Sequence, residues 1–106
     1  MLNKVKEKNR QEYYSCLLKC RELTLEDINK LNNGVVLSST SEQLQDVVLP
    51  ELEKLIQDYE GGNYSKKIFE DRWIHSYAMA FKTWCWDYNY ELFKSLVRLN
   101  ELYRKL

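Results

Sequence analysis

The chain has 106 residues: 44% are hydrophobic, 30% charged and 13% aromatic, and sixteen Lys and Arg balance sixteen Asp and Glu. With three Gly and one Pro, this composition excludes collagen-like, low-complexity and disordered chains and fits a single soluble domain over residues 1–106. No uncharged apolar run approaches the roughly 20 residues of a membrane span, and the opening MLNKVKEKNR lacks the apolar core of a secretory signal.

Leu2, Val5, Asn9, Tyr13, Cys16, Leu17 and Cys20 recur at three- and four-residue steps, which predicts a first helix from about Leu2 to Glu22. Thr24 with Asp27 resembles a capping box, so a second, short helix carrying Leu25, Ile28 and Leu31 is expected to start there. Asn32-Asn33-Gly34 ends it, because these residues tolerate the left-handed helix C-terminus. Val35-Val36-Leu37 is a short extended stretch with no partner strand. Ser39 with Glu42, or Thr40 with Gln43, then caps a further helix whose apolar face is Leu44, Val47, Val48, Leu52, Leu55, Ile56 and Tyr59. Pro50 predicts a kink near Leu49, or two short helices with Pro50 opening the second. Gly61-Gly62 ends that segment.

Ser65 is a suitable cap for residues 66–106, which hold no Gly and no Pro. Phe69, Trp73, Tyr77, Phe81, Trp84, Tyr88, Leu92, Leu96, Leu99, Tyr103 and Leu106 form one stripe. An unbroken helix of this length would span roughly 60 Å, against a radius of gyration of about 13 Å for a compact chain of this size. Either the helix breaks, near Asp87-Tyr88-Asn89, or it projects from the body and needs a partner; the break is the expected outcome. The fold class is all-α: a compact bundle of four to five helices, kinked at Pro50.

A second set of side chains lies nearly opposite that stripe, with Met79, Trp86, Tyr90, Phe93 and Val97 in heptad-like spacing. A helix apolar on two faces needs packing on both. The second face either lies inside the bundle or meets another molecule. The interaction reading assigns partner binding to Trp84, Trp86, Tyr90, Phe93, Met79 and Val97, because aromatic side chains dominate interface hot spots. The partner is another protein or a second copy of the chain.

Net neutrality conceals blocks of charge: residues 1–22 carry +3, residues 23–64 carry −6 and residues 65–106 carry +3. Either these blocks complement one another within the fold, or the acidic middle (Glu42, Asp46, Glu53 and Asp58) steers a basic partner.

No motif assigns a chemistry. Cys16, Cys20, His75 and Cys85 are formal zinc ligands, but His75 and Cys85 lie about 15 Å apart on a continuous helix. Three cysteines without a signal segment fit buried free thiols in a reducing, cytoplasmic setting, with a bridge from Cys16 or Cys20 to Cys85 as the oxidised alternative. His75 has no nucleophile or orienting carboxylate placed by a motif, and Gly61-Gly62 lacks the context of a phosphate loop. No catalytic residue, metal or cofactor is assigned. Residues 24–48 resemble a helix-turn-helix, but the recognition helix would be acidic and the turn is too long. The basic first helix (Lys4, Lys6, Lys8 and Arg10), with Tyr13 and Tyr14 as a stacking surface, gives a nucleic-acid alternative, disfavoured because a lysine-rich helix face is usually just solvated. The expected function is that of a small non-enzymatic protein-binding module: an adaptor, an inhibitor or immunity-type protein, or an assembly subunit.

Overall fold

The computed structural model describes residues 2–63 and 73–106, with side chains from Lys4 onward in those ranges. Its elements are α1 (Leu2–Asn32), α2 (Ser41–Gln43), one wide π turn (Leu44–Val48), α3 (Leu49–Glu60), α4 (His75–Lys82) and α5 (Glu91–Arg104). Among the described residues there is no strand, and the helices pack as an all-α bundle. The expected Ser65 cap and Phe69 lie outside the described residues.

α1 corrects the first expectation: the chain does not restart at Thr24. The buried side chains Tyr13, Leu17, Cys20, Thr24 and Asp27 alternate four- and three-residue steps through the supposed boundary, so one face stays on the core throughout. Thr24 does not cap. Its hydroxyl donates to the carbonyl of Cys20 at 2.7 Å, the back-bond a threonine makes inside a helix. At about 1.5 Å per residue, the 31 residues of α1 run about 46 Å, and this sets the long dimension of 49 Å. α1 ends as its sequence indicates. Gly34 takes φ +83°, its N–H reaches Leu31 O at 3.1 Å, and the Val35 N–H reaches Lys30 O at 3.0 Å. That is a Schellman closure, which needs the left-handed residue. Val35 and Val36 then lie exposed rather than packed on the core.

The Thr40–Gln43 capping box forms in both directions: Gln43 N–H to Thr40 Oγ1 at 3.1 Å, and Thr40 N–H to Gln43 Oε1 at 3.0 Å. Pro50 is absorbed by widening the preceding turn. The Leu49 N–H reaches Leu44 O, and Pro50 falls in the first turn of α3, where a missing N–H costs nothing. α3 closes on Gly62, at φ +79°, in a second Schellman geometry, with Asn63 N–H on Asp58 O at 2.7 Å.

The C-terminal segment breaks, over more residues than expected. α4 begins only at His75 and ends at Lys82, and residues 83–90 form a loop. Cys85 adopts a left-handed φ of +51°, turning the chain so that the Trp86 N–H reaches Ala80 O at 3.0 Å. Asp87 then makes a local turn, accepting the Asn89 N–H on its carboxylate at 2.8 Å and the Tyr90 N–H on its carbonyl at 3.0 Å. α5 packs on α1 and α4, and α3 packs on α1. One core results, built on Tyr13, Leu17, Leu44, Leu52, Leu92, Leu96 and Leu99.

Candidate functional site

The loop at 83–90 decides which aromatic face is inside. Before it, on α4 and the turn that leads into it, the first stripe faces out: Trp73 is 40% and Phe81 45% exposed, with Tyr77 half-buried between them. Within it Tyr88 is exposed too, but beyond it, on α5, the same stripe turns inward, with Leu92, Leu96, Leu99 and Tyr103 buried. A continuous helix would keep one phase; eight loop residues reset it.

This corrects the expected binding face. Trp86 and Phe93, assigned to a partner, are 3% and 2% exposed and belong to the core. The indole N–H of Trp86 donates to Gln43 Oε1 at 2.9 Å, so the capping box of α2 also satisfies the buried tryptophan. Trp86 meets Tyr90 and Phe93 edge to face, at 5.2 and 6.4 Å between centroids. Tyr90, Trp84 and Val97 are half-buried and packed on the core, and Met79 is half-buried on α4. The second face is therefore covered mainly from within the chain.

Tyr90 also closes a polar junction. Its hydroxyl donates to the buried carboxylate of Asp27 and shares a hydrogen bond with Ser39 Oγ at 2.8 Å. Ser38 Oγ accepts the Asp87 N–H at 2.8 Å beside it. Two loops and α1 are thus tied at one point. Burial and then the Asp27 hydrogen bond push the Tyr90 hydroxyl pKa up, and burial followed by the neighbouring Tyr103 does the same for Tyr13. Both raise the folded-state value of an acid that the fold holds neutral. Their contribution is therefore complete below the ordinary tyrosine value of about 10 and is lost as pH rises above it toward the raised values. The melting temperature is expected to fall as pH rises above about 10, less steeply in Tyr90→Phe. Melts followed by circular dichroism check this.

The outward face is an aromatic ladder. Trp73 and Tyr77 stack at 5.5 Å and 6° between planes, and Tyr77 and Phe81 at 6.1 Å and 19°. Tyr77 is anchored to the core by Phe93, at 6.2 Å and 10°. The rim is cationic: Lys82 Nζ lies 5.6 Å and Arg104 Cζ 5.4 Å from the centre of a Trp73 ring. Two tethers position α4. Glu51 on α3 accepts the N–H of His75 at 2.9 Å, the N–H of Ser76 at 2.7 Å and the Ser76 hydroxyl at 2.5 Å, so a carboxylate from another helix caps α4. Asn100 Oδ1 on α5 accepts the Ile74 N–H at 2.7 Å. The sequence reading missed Glu51, because a cap from a distant segment leaves no spacing signal.

Of the acidic steering residues, Glu42, Asp46 and Glu53 are exposed and Asp58 is half-buried. The stacking surface expected of the first helix is not available. Tyr13 is in the core, and Tyr14 stacks on Tyr59 at 4.6 Å and donates to Glu60 at 2.6 Å. The supposed helix-turn-helix is removed as well, since its first helix is the end of α1. Cys16, Cys20 and Cys85 are free thiols. Among the described residues no three His, Cys, Asp or Glu side chains cluster as for a metal, and no helix is long and apolar enough to cross a membrane. No protein-family model, curated protein or solved structure matches the chain, so its geometry alone carries the functional reading.

Proposed function

We propose that the chain is a small, non-enzymatic, cytoplasmic protein-binding module. Its docking surface is the Trp73–Tyr77–Phe81 ladder, and its partner is an apolar helical segment of another protein with acidic flanks. The observation that carries this is the exposed aromatic stack with Lys82 and Arg104 at its edge. Aromatic and arginine side chains supply most hot-spot energy, and rings already stacked on one another lose little freedom on binding. A cationic rim selects carboxylates around the partner's apolar face. The exposed Glu42, Asp46 and Glu53 repel the same acidic flanks. The partner's charge is thus opposite to the basic partner expected from the acidic middle, because the docking face lies elsewhere.

The test uses two synthetic amphipathic helices sharing one leucine face, rimmed either by glutamates or by lysines. Titrated into isotope-labelled protein, the glutamate peptide is expected to shift the Trp73 indole and the amides of α4, while the lysine peptide leaves them in place. The double variant Trp73→Ala, Phe81→Ala is expected to weaken the glutamate peptide at least about tenfold, since each ring is an anchor, and to melt near the parent temperature. Equal response to both peptides, or none on α4, overturns the proposal. So do concentration-dependent shifts of α4 without peptide, which would put a second copy on the ladder. A salt-sensitive shift of Lys4, Lys6 and Lys8 by an oligonucleotide, with α4 silent to both peptides, would instead favour nucleic-acid binding.

A further inference from the structure

Away from the ladder, α1 and α5 enclose an open groove of about 610 Å³ lined by Glu12, Cys16, Lys19, Lys94, Ser95 and Arg98 among others. One thiol lines it, and a second lies one helical turn away in the core. Cys16 is half-buried and faces the groove; Cys20, one turn on along the same face of α1, is fully buried. Both meet Ser95 of α5: Cys16 Sγ donates to the Ser95 carbonyl at 3.6 Å, and Cys20 Sγ shares a hydrogen bond with Ser95 Oγ at 3.1 Å.

We propose that Cys16 and Cys20 are a hydroperoxide-reactive pair, in which Cys16 is oxidised from the groove and Cys20 closes a reversible disulfide within α1. The placement divides the roles. The Cys20 thiol, then Ser95, Arg98 and Lys19, lower the Cys16 pKa against the cost of burial. Cys16 and burial raise that of Cys20, which keeps its proton. The Cys16 thiolate attacks the terminal oxygen of the hydroperoxide, the O–O bond breaks, and the alkoxide leaves and takes a proton from water. Cys16 is then a sulfenic acid. The Cys20 sulfur attacks the Cys16 sulfur, the S–O bond breaks, and the departing hydroxide takes the Cys20 proton and becomes water. In sum two thiols lose two electrons, and one hydroperoxide becomes an alcohol and a water.

Residues four apart on a helix have Cα atoms about 6.2 Å apart, inside the range of a disulfide. Their Cβ atoms stand about 5–6 Å apart, against about 3.5–4.5 Å in a disulfide. The turn at 16–20 must therefore tighten, and Cys20 must leave Ser95. A strained bridge of this kind is easily reduced. Oxidation thus loosens the α1–α5 contact and is undone by thiols.

The experiment uses Cys85→Ser, which removes the exposed third thiol, treated with a small excess of hydrogen peroxide. The monomer is expected to lose two hydrogens by intact mass, with residues 16 and 20 in one bridged peptide and both thiols lost together. The oxidised form is expected to melt below the reduced form, and dithiothreitol to restore mass and melting. Iodoacetamide is expected to modify Cys16 at least about tenfold faster than Cys20 in the reduced protein. A stable sulfinic acid on Cys16, a covalent dimer, or a Cys20 that stays free while Cys16 is oxidised overturns the proposal. Because both thiols of the pair stay intact, the readings do not depend on a Cys16 or Cys20 variant folding.

Discussion

Trp86→Ala is expected to destabilise the fold by about 3–5 kcal/mol, the cost of emptying a buried aromatic site. For a chain of this size the melting temperature should fall by at least about 12 °C. The ring sits at 3% exposure between Tyr90 and Phe93, and its N–H ends on Gln43 Oε1. Alanine removes the ring, leaves a cavity and takes one donor from an oxygen that still holds the Thr40 N–H. Trp86→Phe keeps much of the ring area but loses the N–H and part of the indole, so a smaller cost of about 1–2 kcal/mol is expected. Urea denaturation of the three proteins measures the differences. The result separates two roles that one sequence pattern allows. A surface anchor replaced by alanine would stay within about 0.5 kcal/mol of the parent and lose binding. If the denaturation midpoint of Trp86→Ala hardly moves, the indole is not in the core and the inversion of the two aromatic faces is wrong.

That inversion marks where the sequence stops being legible. Chain ends of helices were readable because single residues set them. Gly34 and Gly62 take the positive φ that a Schellman closure needs, and Thr40 with Gln43 makes a box with both hydrogen bonds local. Pro50 was readable for the same reason: its ring and missing N–H act on the turn that contains it. Thr24 was misread because threonine serves two local hydrogen bonds equally well, a cap or a back-bond to Cys20, and the choice falls to whether the stripe continues. It continues to Asp27, whose carboxylate is met by Tyr90, sixty-three residues away, as well as by Lys30 on its own helix. The aromatic stripes were misassigned for a deeper reason. Two opposite apolar faces state that both need cover; which side of α4 receives it depends on the loop geometry at Cys85, a left-handed residue that no spacing reveals. Tyr14 likewise reads as a free ring until Tyr59 and Glu60 arrive from α3.

Glu51 connects stability to the proposed docking surface, and Glu51→Ala is expected to cost about 2–3 kcal/mol. Its carboxylate receives two backbone N–H groups and one hydroxyl at the start of α4, donors that are otherwise left without acceptors at a helix N-terminus. The negative charge also meets the positive end of the α4 dipole. Glu51→Gln keeps one acceptor oxygen but turns an amide toward one of the donors, so it should recover no more than about half of the loss. Asn100→Ala removes the acceptor of the buried Ile74 N–H and is expected to cost about 1–3 kcal/mol by itself. The two tethers grip consecutive residues from opposite sides, α3 and α5, so their effects should couple rather than add. A double-mutant cycle in urea measures that coupling. The consequence for the ladder is separate from the global cost. Trp73 and Tyr77 flank Ile74–Ser76, so freeing that turn lets the rings leave their stack. In Glu51→Ala, hydrogen exchange of the α4 amides should accelerate well beyond that of the α5 amides, and the glutamate-rimmed peptide should bind more weakly, although Glu51 is not a member of the ladder. Uniform acceleration over both helices would mean that Glu51 only adds stability and does not hold the docking surface in place.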